Sequence, residues 1–215
     1  WVRLVVGQRQ DSNPQLKRQS IAAGIRQSFE CGVWAIGEIA TDPFDDRDYV
    51  AAMPESVLSD LPQGSCSIEM CLYLEQLGSD SNRLQEQQTR LRSHLGSDRS
   101  GNAGVSAGAS PHAPYSVAPA LLSQICDAAI ATGAGVAMHV AETKAEIELL
   151  DRGTGEFTGL LKDFGVWNPS NFQRERCVMS ILRQLAKTHR SLVVHGNYLT
   201  DPEMDFIATQ PRMTA

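Results

Sequence analysis

Hydrophobic and polar positions along this chain follow two periods, which predict short strands separated by longer helices. Apolar runs typical of buried strands lie at 33–40, 65–74, 103–109, 136–138 and 191–194. Segments with helical spacing or composition lie at 16–29, 79–95, 118–132, 142–150, 157–164 and 177–189. Strands and helices in alternation favour an α/β fold with a parallel sheet, either closed or open.

Three histidines take the same position relative to the predicted strands. His112, His139 and His195 each lie between an apolar run and a helix. In α/β enzymes this position is the carboxyl end of a parallel strand, where the chemistry is placed. Independent core histidines would not be expected to occupy it three times, so the pattern favours a functional site.

The histidine at 139 is followed three residues later by Glu142, at the head of a helical pattern. A neutral imidazole can bind a divalent metal, and a carboxylate nearby can take a proton from water that the metal activates. Taken alone, the two residues are better explained as a core histidine and an acid favoured by the helix dipole. The other two histidines change that balance, because His195 follows the adjacent strand and its imidazole is expected to converge with that of His139.

The number of candidate ligands is small. A mononuclear catalytic metal normally has three or more protein ligands, and this chain offers at most two good candidates, His139 and His195. His112 lies on a turn stiffened by prolines and is better placed to touch a substrate. Glu75 lies at a predicted strand end, and the alternation rule leaves open whether it faces the mouth of the sheet or solvent.

Composition narrows the class of protein. With 215 residues and 20% charged residues, one globular domain is the default. A net charge of −6 and the absence of a basic stripe argue against nucleic-acid binding. No apolar run approaches the roughly 18 residues that span a bilayer. The five scattered cysteines lack a Cys-x-x-Cys pair, which predicts reduced thiols and a cytoplasmic setting.

Three segments carry a family resemblance: SPHAPYS (110–116), MHVAET (138–143) and VHGNYLTDPEM (194–204). They resemble successive motifs of the amidohydrolase superfamily, in the branch of cytosine-, guanine- and S-adenosylhomocysteine-deaminase-like and triazine chlorohydrolase-like proteins. The similarity runs from about residue 33 to about residue 208. It implies a (β/α)8 TIM-type barrel that depends on a metal and hydrolyses its substrate.

The resemblance also implies a role for each matching residue. His139 is then the metal ligand after the fifth strand, and Glu142 is the proton shuttle. His195 is the sixth-strand histidine that contacts the attacking water or the substrate. His112 and Tyr115 match the segment that contacts the substrate after strand four. The expected cofactor is one divalent metal, Zn²⁺ or alternatively Fe²⁺.

The chain also departs from the family pattern. Family members hold the metal with a His-x-His pair after the first strand and an Asp after the eighth, and neither is found here. We therefore interpret residues 1–215 as a single partial catalytic barrel domain, with about strands 2 to 6 present. Strands one, seven and eight and any flanking β-domain would be absent. The alternative is a degenerate, metal-free relative.

These observations predict a metal-dependent hydrolase of non-peptide carbon–nitrogen bonds. The expected reaction is deamination of a small-molecule heterocyclic substrate, either a purine- or pyrimidine-like heterocycle or a nucleoside. No nucleic-acid or membrane partner is expected, and the protein is compatible with a homodimer. One rival is a barrel that uses the same histidines as acid and base without metal. Another is a non-catalytic barrel that acts as a ligand-binding or interaction module.

Overall fold

Strands and helices alternate in the computed structural model, which describes residues 13–41, 48–49, 69–78, 84–97, 104–173 and 176–215. The strands are β1 (Ala35–Ala40), β2 (Glu69–Gln76), β3 (Val105–Pro111), β4 (Gly135–Val140), β5 (Ser191–His195) and β6 (Met213–Thr214). The helices are α1 (Pro14–Glu30), α2 (Leu84–Leu95), α3 (Pro119–Thr132), α4 (Lys144–Arg152), α5 (Glu156–Asp163), α6 (Val178–Leu185) and α7 (Asp201–Ala208), with a 3₁₀ helix at Pro169–Phe172. The predicted alternation is confirmed for the described residues.

The boundaries differ from the sequence prediction in a few places. The start of the predicted strand at 65–68 and the start of the predicted helix at 79–83 lie outside the described residues. β3 continues to Pro111, so His112 follows the strand directly. α4 begins at Lys144, so Glu142 precedes the helix instead of heading it. β6 was not predicted, because two residues are too few to show a period.

The six strands form one sheet in sequential order, from β1 to β6. The pairs β3/β4, β4/β5 and β5/β6 are parallel. Consecutive parallel strands with intervening helices are the α/β architecture of a (β/α)8 barrel. The register of β4 and β5 pairs His139 with Val194 and Val140 with His195. This register brings the carboxyl ends of the two strands to the same edge of the sheet.

The chain divides into two compact units. In the first unit, Asn13 caps the start of α1, and its side chain accepts a hydrogen bond from the Gln15 amide at 2.8 Å. Such a cap satisfies one of the free amides at the start of a helix. Pro14 occupies the first turn, and Ile25 is the buried residue of this helix.

The second unit comprises Ile39–Asp42, Leu72–Asp98 and Ala107–Ala215, and it contains all the candidate site residues. Its buried core is drawn from α3, β4, α4 and α6: Leu121, Leu122, Ile125, Ala129, Val136, Met138, Leu149, Leu150, Ile181, Leu182 and Leu185. Gly133 ends α3 in the left-handed conformation that glycine adopts without strain. This core supports the carboxyl ends of β3, β4 and β5.

None of the helices within the described residues is both long enough and apolar enough to cross a membrane.

Candidate active site

The structure brings the three histidines together at the carboxyl ends of β3, β4 and β5. The ring centroids of His112 and His139 lie 5.3 Å apart. The rings of His139 and His195 lie 5.0 Å apart and are stacked, with 29° between their planes. Tyr115 joins this cluster, with its ring centroid 5.6 Å from that of His112. The central member is therefore His139.

The stacking of His195 on His139 depends on an unusual backbone conformation. Side chains of paired residues in a parallel sheet point to the same face, and successive residues alternate. The register pairs His195 with Val140, so a regular extended backbone would direct its side chain away from His139. His195 instead has φ +75°, in the left-handed region that non-glycine residues rarely adopt. Strain of this kind is found where a functional side chain must be redirected.

A second left-handed residue lies beside the candidate proton shuttle. Ala141 has φ +55° and comes directly before Glu142. The carboxylate of Glu142 lies 3.6 Å from the Nε2 atom of His195. Both side chains are about one third exposed, at 35% and 34%. The two groups can therefore act on a bound molecule while they remain close to each other.

The turn that carries Glu142 is held by a buried carboxylate. Glu146 lies in the first turn of α4 and is fully buried. One of its oxygens accepts the Ala141 amide at 2.9 Å, and the other accepts the Glu142 amide at 3.0 Å. Burial raises the pKa of Glu146 to about 7, and the backbone amides oppose that rise. A single side chain thus fixes the strained residue and the residue that follows it.

The segment after β3 carries His112 and Tyr115. The Nδ1 atom of His112 lies 2.6 Å from the hydroxyl of Ser116, within hydrogen-bond distance. The His139 amide donates to the carbonyl of His112 at 2.9 Å, which ties this segment to β4. Tyr115 packs on Phe157 of α5, with the ring centroids 4.7 Å apart. These contacts orient both side chains toward the histidine cluster.

The same segment is held by an arginine from a distant part of the chain. The guanidinium of Arg176 donates to the carbonyl of Pro114 at 2.8 Å and to the carbonyl of Val117. It also donates to the carbonyl of Asn171, in the 3₁₀ helix, at 3.0 Å. Arg176 is only 7% exposed, and burial lowers its pKa to about 10. The side chain therefore stays charged at neutral pH.

His139 has the properties of one metal ligand. Burial, and next the neighbouring His195, lower the pKa of His139, so its imidazole is neutral near pH 7. Neutral imidazole is the form that binds metal. Its Nδ1 atom is buried and has no hydrogen-bond partner in the described part of the chain. Across that same part, no three His, Cys, Asp or Glu side chains are grouped to hold a metal ion. His139 fits a metal as a single ligand, and the described residues do not complete the set.

Two further polar groups lie near the cluster. Glu75 is 8% exposed and accepts a hydrogen bond from the hydroxyl of Thr41 at 2.9 Å, so it is not exposed to solvent. Burial raises the pKa of Tyr115, and the negative charges of Glu142, Glu146 and Glu75 raise it further. The Tyr115 hydroxyl therefore stays protonated and can donate a hydrogen bond to a ligand.

The sequence analysis proposed residues for the chemistry, and it did not include the two that hold the backbone of those residues in the structure, Glu146 and Arg176. The spacing Thr143-x-x-Glu146 resembles a capping box and could have drawn attention to Glu146. Thr143 does cap α4 by accepting the Glu146 amide at 3.2 Å. No local pattern could have identified Arg176, because Pro114 lies 62 residues away from it.

Solved structures with the same fold were found by comparison. Helicobacter pylori aminofutalosine deaminase in complex with methylthio-coformycin has a TM-score of 0.69 and 20% identity, covering 88% of this chain and 42% of that chain. An adenosine deaminase from Xanthomonas campestris with bound zinc has a TM-score of 0.55 and 16% identity, covering 93% of this chain and 38% of that chain. The chain spans about two fifths of the length of these structures, and the likeness confirms the fold.

Sequence comparisons identify the family. An aminodeoxyfutalosine deaminase from Nitratiruptor is 33% identical over 99 residues, which are 46% of this chain and 23% of that protein. The profile of the Amidohydrolase family matches residues 2–214, nearly the whole chain. With the parallel sheet and the histidine cluster described above, this match shows that the chain belongs to the Amidohydrolase family.

Proposed function

We propose that this chain is the central part of a metal-dependent hydrolase that deaminates an adenine-type nucleoside or a related heterocycle. The observation that carries the proposal is the cluster of His112, His139 and His195, with the Glu142 carboxylate 3.6 Å from His195. Membership of the Amidohydrolase family supports it, as does the similarity to a protein named as a deaminase.

In the proposed reaction, water adds to the ring carbon that bears the amino group, and ammonia leaves. A divalent metal, Zn²⁺ or Fe²⁺, held in part by His139 would supply a Lewis acid that lowers the pKa of the water. The further ligands would come from other parts of the complete barrel. The neutral state and free Nδ1 atom of His139 support its assignment as a ligand.

Glu142 would carry the proton between water and leaving group. Its carboxylate takes a proton as water attacks and returns it to the departing nitrogen, so protons balance over the reaction. His195 lies beside it and would orient the attacking oxygen or stabilise the charge that develops there. Because Glu142 is one third exposed, it can reach a substrate that enters from solvent.

His112 and Tyr115 would hold the substrate. Both side chains have orienting contacts, His112 with Ser116 and Tyr115 with Phe157. A purine or pyrimidine offers ring nitrogens that accept hydrogen bonds and a flat face that packs on an aromatic ring. The protonated hydroxyl of Tyr115 supplies a donor for such a nitrogen.

The proposal also covers the location and the assembly of the protein. Cys31, Cys71, Cys126 and Cys177 carry free thiols, which supports a reducing compartment such as the cytoplasm. A homodimer remains part of the proposal, and sedimentation of the full-length protein tests it.

The test uses the full-length protein and the Glu142→Gln variant. Adenosine, 5′-methylthioadenosine, S-adenosylhomocysteine, aminodeoxyfutalosine, guanine and cytosine are screened by ammonia release, and bound metal is measured by elemental analysis. We expect the variant to keep its metal and to lose about 10²- to 10⁴-fold in kcat, the usual contribution of a general acid–base group. Glu148→Gln, at an exposed position of α4, is the matched control and keeps full activity.

Three results would contradict the proposal. Undiminished turnover by Glu142→Gln would remove the assigned role of that residue. Activity that survives complete chelation would favour acid–base catalysis by the histidines without metal. Tight binding of a heterocycle with no product formed, even with added zinc, would favour a non-catalytic binding module.

A further inference from the structure

The segment after β3 has little secondary structure of its own, although it carries two of the site residues. Between the end of β3 at Pro111 and the start of α3 at Pro119, the backbone makes a turn in which the Ser116 amide donates to Ala113. The edge of this segment pairs with Gly78 through a single bridge at Val117. Its position therefore depends on contacts from elsewhere in the second unit.

Arg176 supplies such contacts in an unusual form. A buried arginine normally faces a carboxylate, because an unpaired charge is costly to remove from water. In the described part of the chain, every hydrogen-bond acceptor of Arg176 is a backbone carbonyl: Pro114, Val117 and Asn171. The guanidinium also lies over the ring of Phe172, with its Cζ atom 5.8 Å from the ring centroid. The charge is thus offset by the carbonyl dipoles that it holds in place.

We propose that Arg176 is a positioning residue for substrate binding, because its planar guanidinium fixes the segment that carries His112 and Tyr115 against the 3₁₀ helix. The proposal rests on the assignment of those two side chains as substrate contacts. A guanidinium can donate to several acceptors in one plane, whereas an ammonium is a point charge on a flexible stem. Lysine at this position would therefore keep the charge but not the geometry.

The consequence for function is a specific one. The hydrogen bonds and ring contact of Arg176 within the described residues join it to Pro114, Val117, Asn171 and Phe172 and to neither Glu142 nor His139. Its loss would therefore displace the groups that hold the substrate and leave the proton-transfer groups in place. A displacement of about 1 Å in a positioning contact can reduce turnover by about a hundredfold when it affects reacting atoms. Here the effect falls on substrate affinity, so KM rises more than kcat falls.

The experiment compares Arg176→Met and Arg176→Lys with Arg183→Met in the full-length protein. Arg183 lies on α6, is exposed, and serves as the matched control. Hydrogen–deuterium exchange of peptides covering 113–118 is measured beside peptides covering 136–140 in β4. We expect exchange at 113–118 to be at least about tenfold faster in both Arg176 variants, as the loss of charged hydrogen bonds predicts, with β4 unchanged.

The kinetic measurement compares the change in KM with the change in kcat. With any substrate found active, we expect KM to rise about tenfold and kcat to change less than threefold, since about 1.4 kcal/mol corresponds to a factor of ten. A role in general stability alone would instead accelerate exchange in β4 as well. Exchange at 113–118 equal to that of the wild type, or an unchanged KM, would overturn the proposal.

The exchange measurement keeps this proposal separate from the proposed function. If no substrate is turned over, the proposed function is wrong, and hydrogen exchange at 113–118 still tests whether Arg176 holds this segment. If neither Arg176 variant folds, the wild-type protein provides the answer by nuclear magnetic resonance. Slowly exchanging guanidinium protons with cross-peaks to residues 114–117 would support the proposal, and freely exchanging ones would overturn it.

Discussion

Two neighbouring segments present the candidate chemistry, and each is held by one buried ionisable side chain whose hydrogen bonds, in the described part of the chain, all join it to backbone groups. After β4, the carboxylate of Glu146 accepts the amides of Ala141 and Glu142. After β3, the guanidinium of Arg176 donates to the carbonyls of Pro114 and Val117. The two side chains hold opposite ends of the peptide dipole, because Glu146 accepts from amides and Arg176 donates to carbonyls.

The difference between the two segments lies in distance along the chain. We call the two sets of contacts clamps: the local clamp is Glu146 with the amides of Ala141 and Glu142, and the distant clamp is Arg176 with its carbonyls. Glu146 is five residues from Ala141 and four from Glu142, so the local clamp forms together with α4. Arg176 is 62 residues from Pro114, so its clamp forms only when the second unit has folded. The local clamp holds a group proposed to move protons, and the distant one holds groups proposed to bind substrate. The two should therefore affect different kinetic constants.

The largest expected effect comes from removing the local clamp. Glu146→Ala leaves the buried Ala141 amide and the partly buried Glu142 amide without this acceptor, and an unsatisfied buried donor costs about 1–3 kcal/mol. We expect the free energy of unfolding to fall by about 3 kcal/mol, measured by urea denaturation, and kcat to fall more than KM rises. Glu148→Ala is the control on the same helix and is expected to change stability by less than about 0.5 kcal/mol. A loss confined to KM would abolish the contrast between the clamps.

A pH dependence of stability should follow from the same carboxyl group. The folded-state pKa of Glu146 is about 7, above the value of 4.5 for a free glutamate. A raised acid pKa means that the protonated form is favoured by folding, so this contribution is complete below about pH 4.5 and is lost as the pH rises through 7. Relative to Glu146→Gln, the wild type should lose about 2–3 kcal/mol between pH 5 and pH 8.

Thermal or urea unfolding of both proteins at several pH values measures this difference. Glu148→Gln provides the baseline for a glutamate at the surface of α4. A difference between wild type and Glu146→Gln that stays constant from pH 5 to pH 8 would show that Glu146 does not titrate in this range. Arg176 should not contribute a pH dependence of stability between pH 5 and pH 8, because its pKa of about 10 lies above that range.

The smallest expected effect comes from removing a single side-chain contact of His112, in the segment after β3. Ser116→Ala removes the hydroxyl that lies 2.6 Å from His112 Nδ1, so the imidazole loses one orienting hydrogen bond. We expect kcat/KM to fall about three- to tenfold, which corresponds to one ordinary hydrogen bond, with little change in stability. Ser93→Ala, at an exposed position of α2, is the control. An unchanged kcat/KM would mean that His112 is oriented by other contacts.

Much of the fold could be predicted from the chain alone, because strands and helices have distinct periods. Two helix ends coincide with residue types that favour them: Gly133 closes α3, and Thr200 forms a capping box with Glu203 at the start of α7. The positions of His112, His139 and His195 after their strands followed from the same pattern. β6 was not predicted, and α4 begins two residues later than expected, because element boundaries depend on contacts that no period records.

The sequence by itself determined which residue types stand at the carboxyl ends of the strands. Only the tertiary structure decided where their side chains point. Alternation along β5 would direct His195 to the same face as Val140, and a left-handed backbone redirects it onto His139. Ala141 turns Glu142 toward the same cluster, because a buried carboxylate holds the turn. Such strained conformations persist only when packing and hydrogen bonds from other elements stabilise them, and a one-dimensional pattern does not contain those contacts.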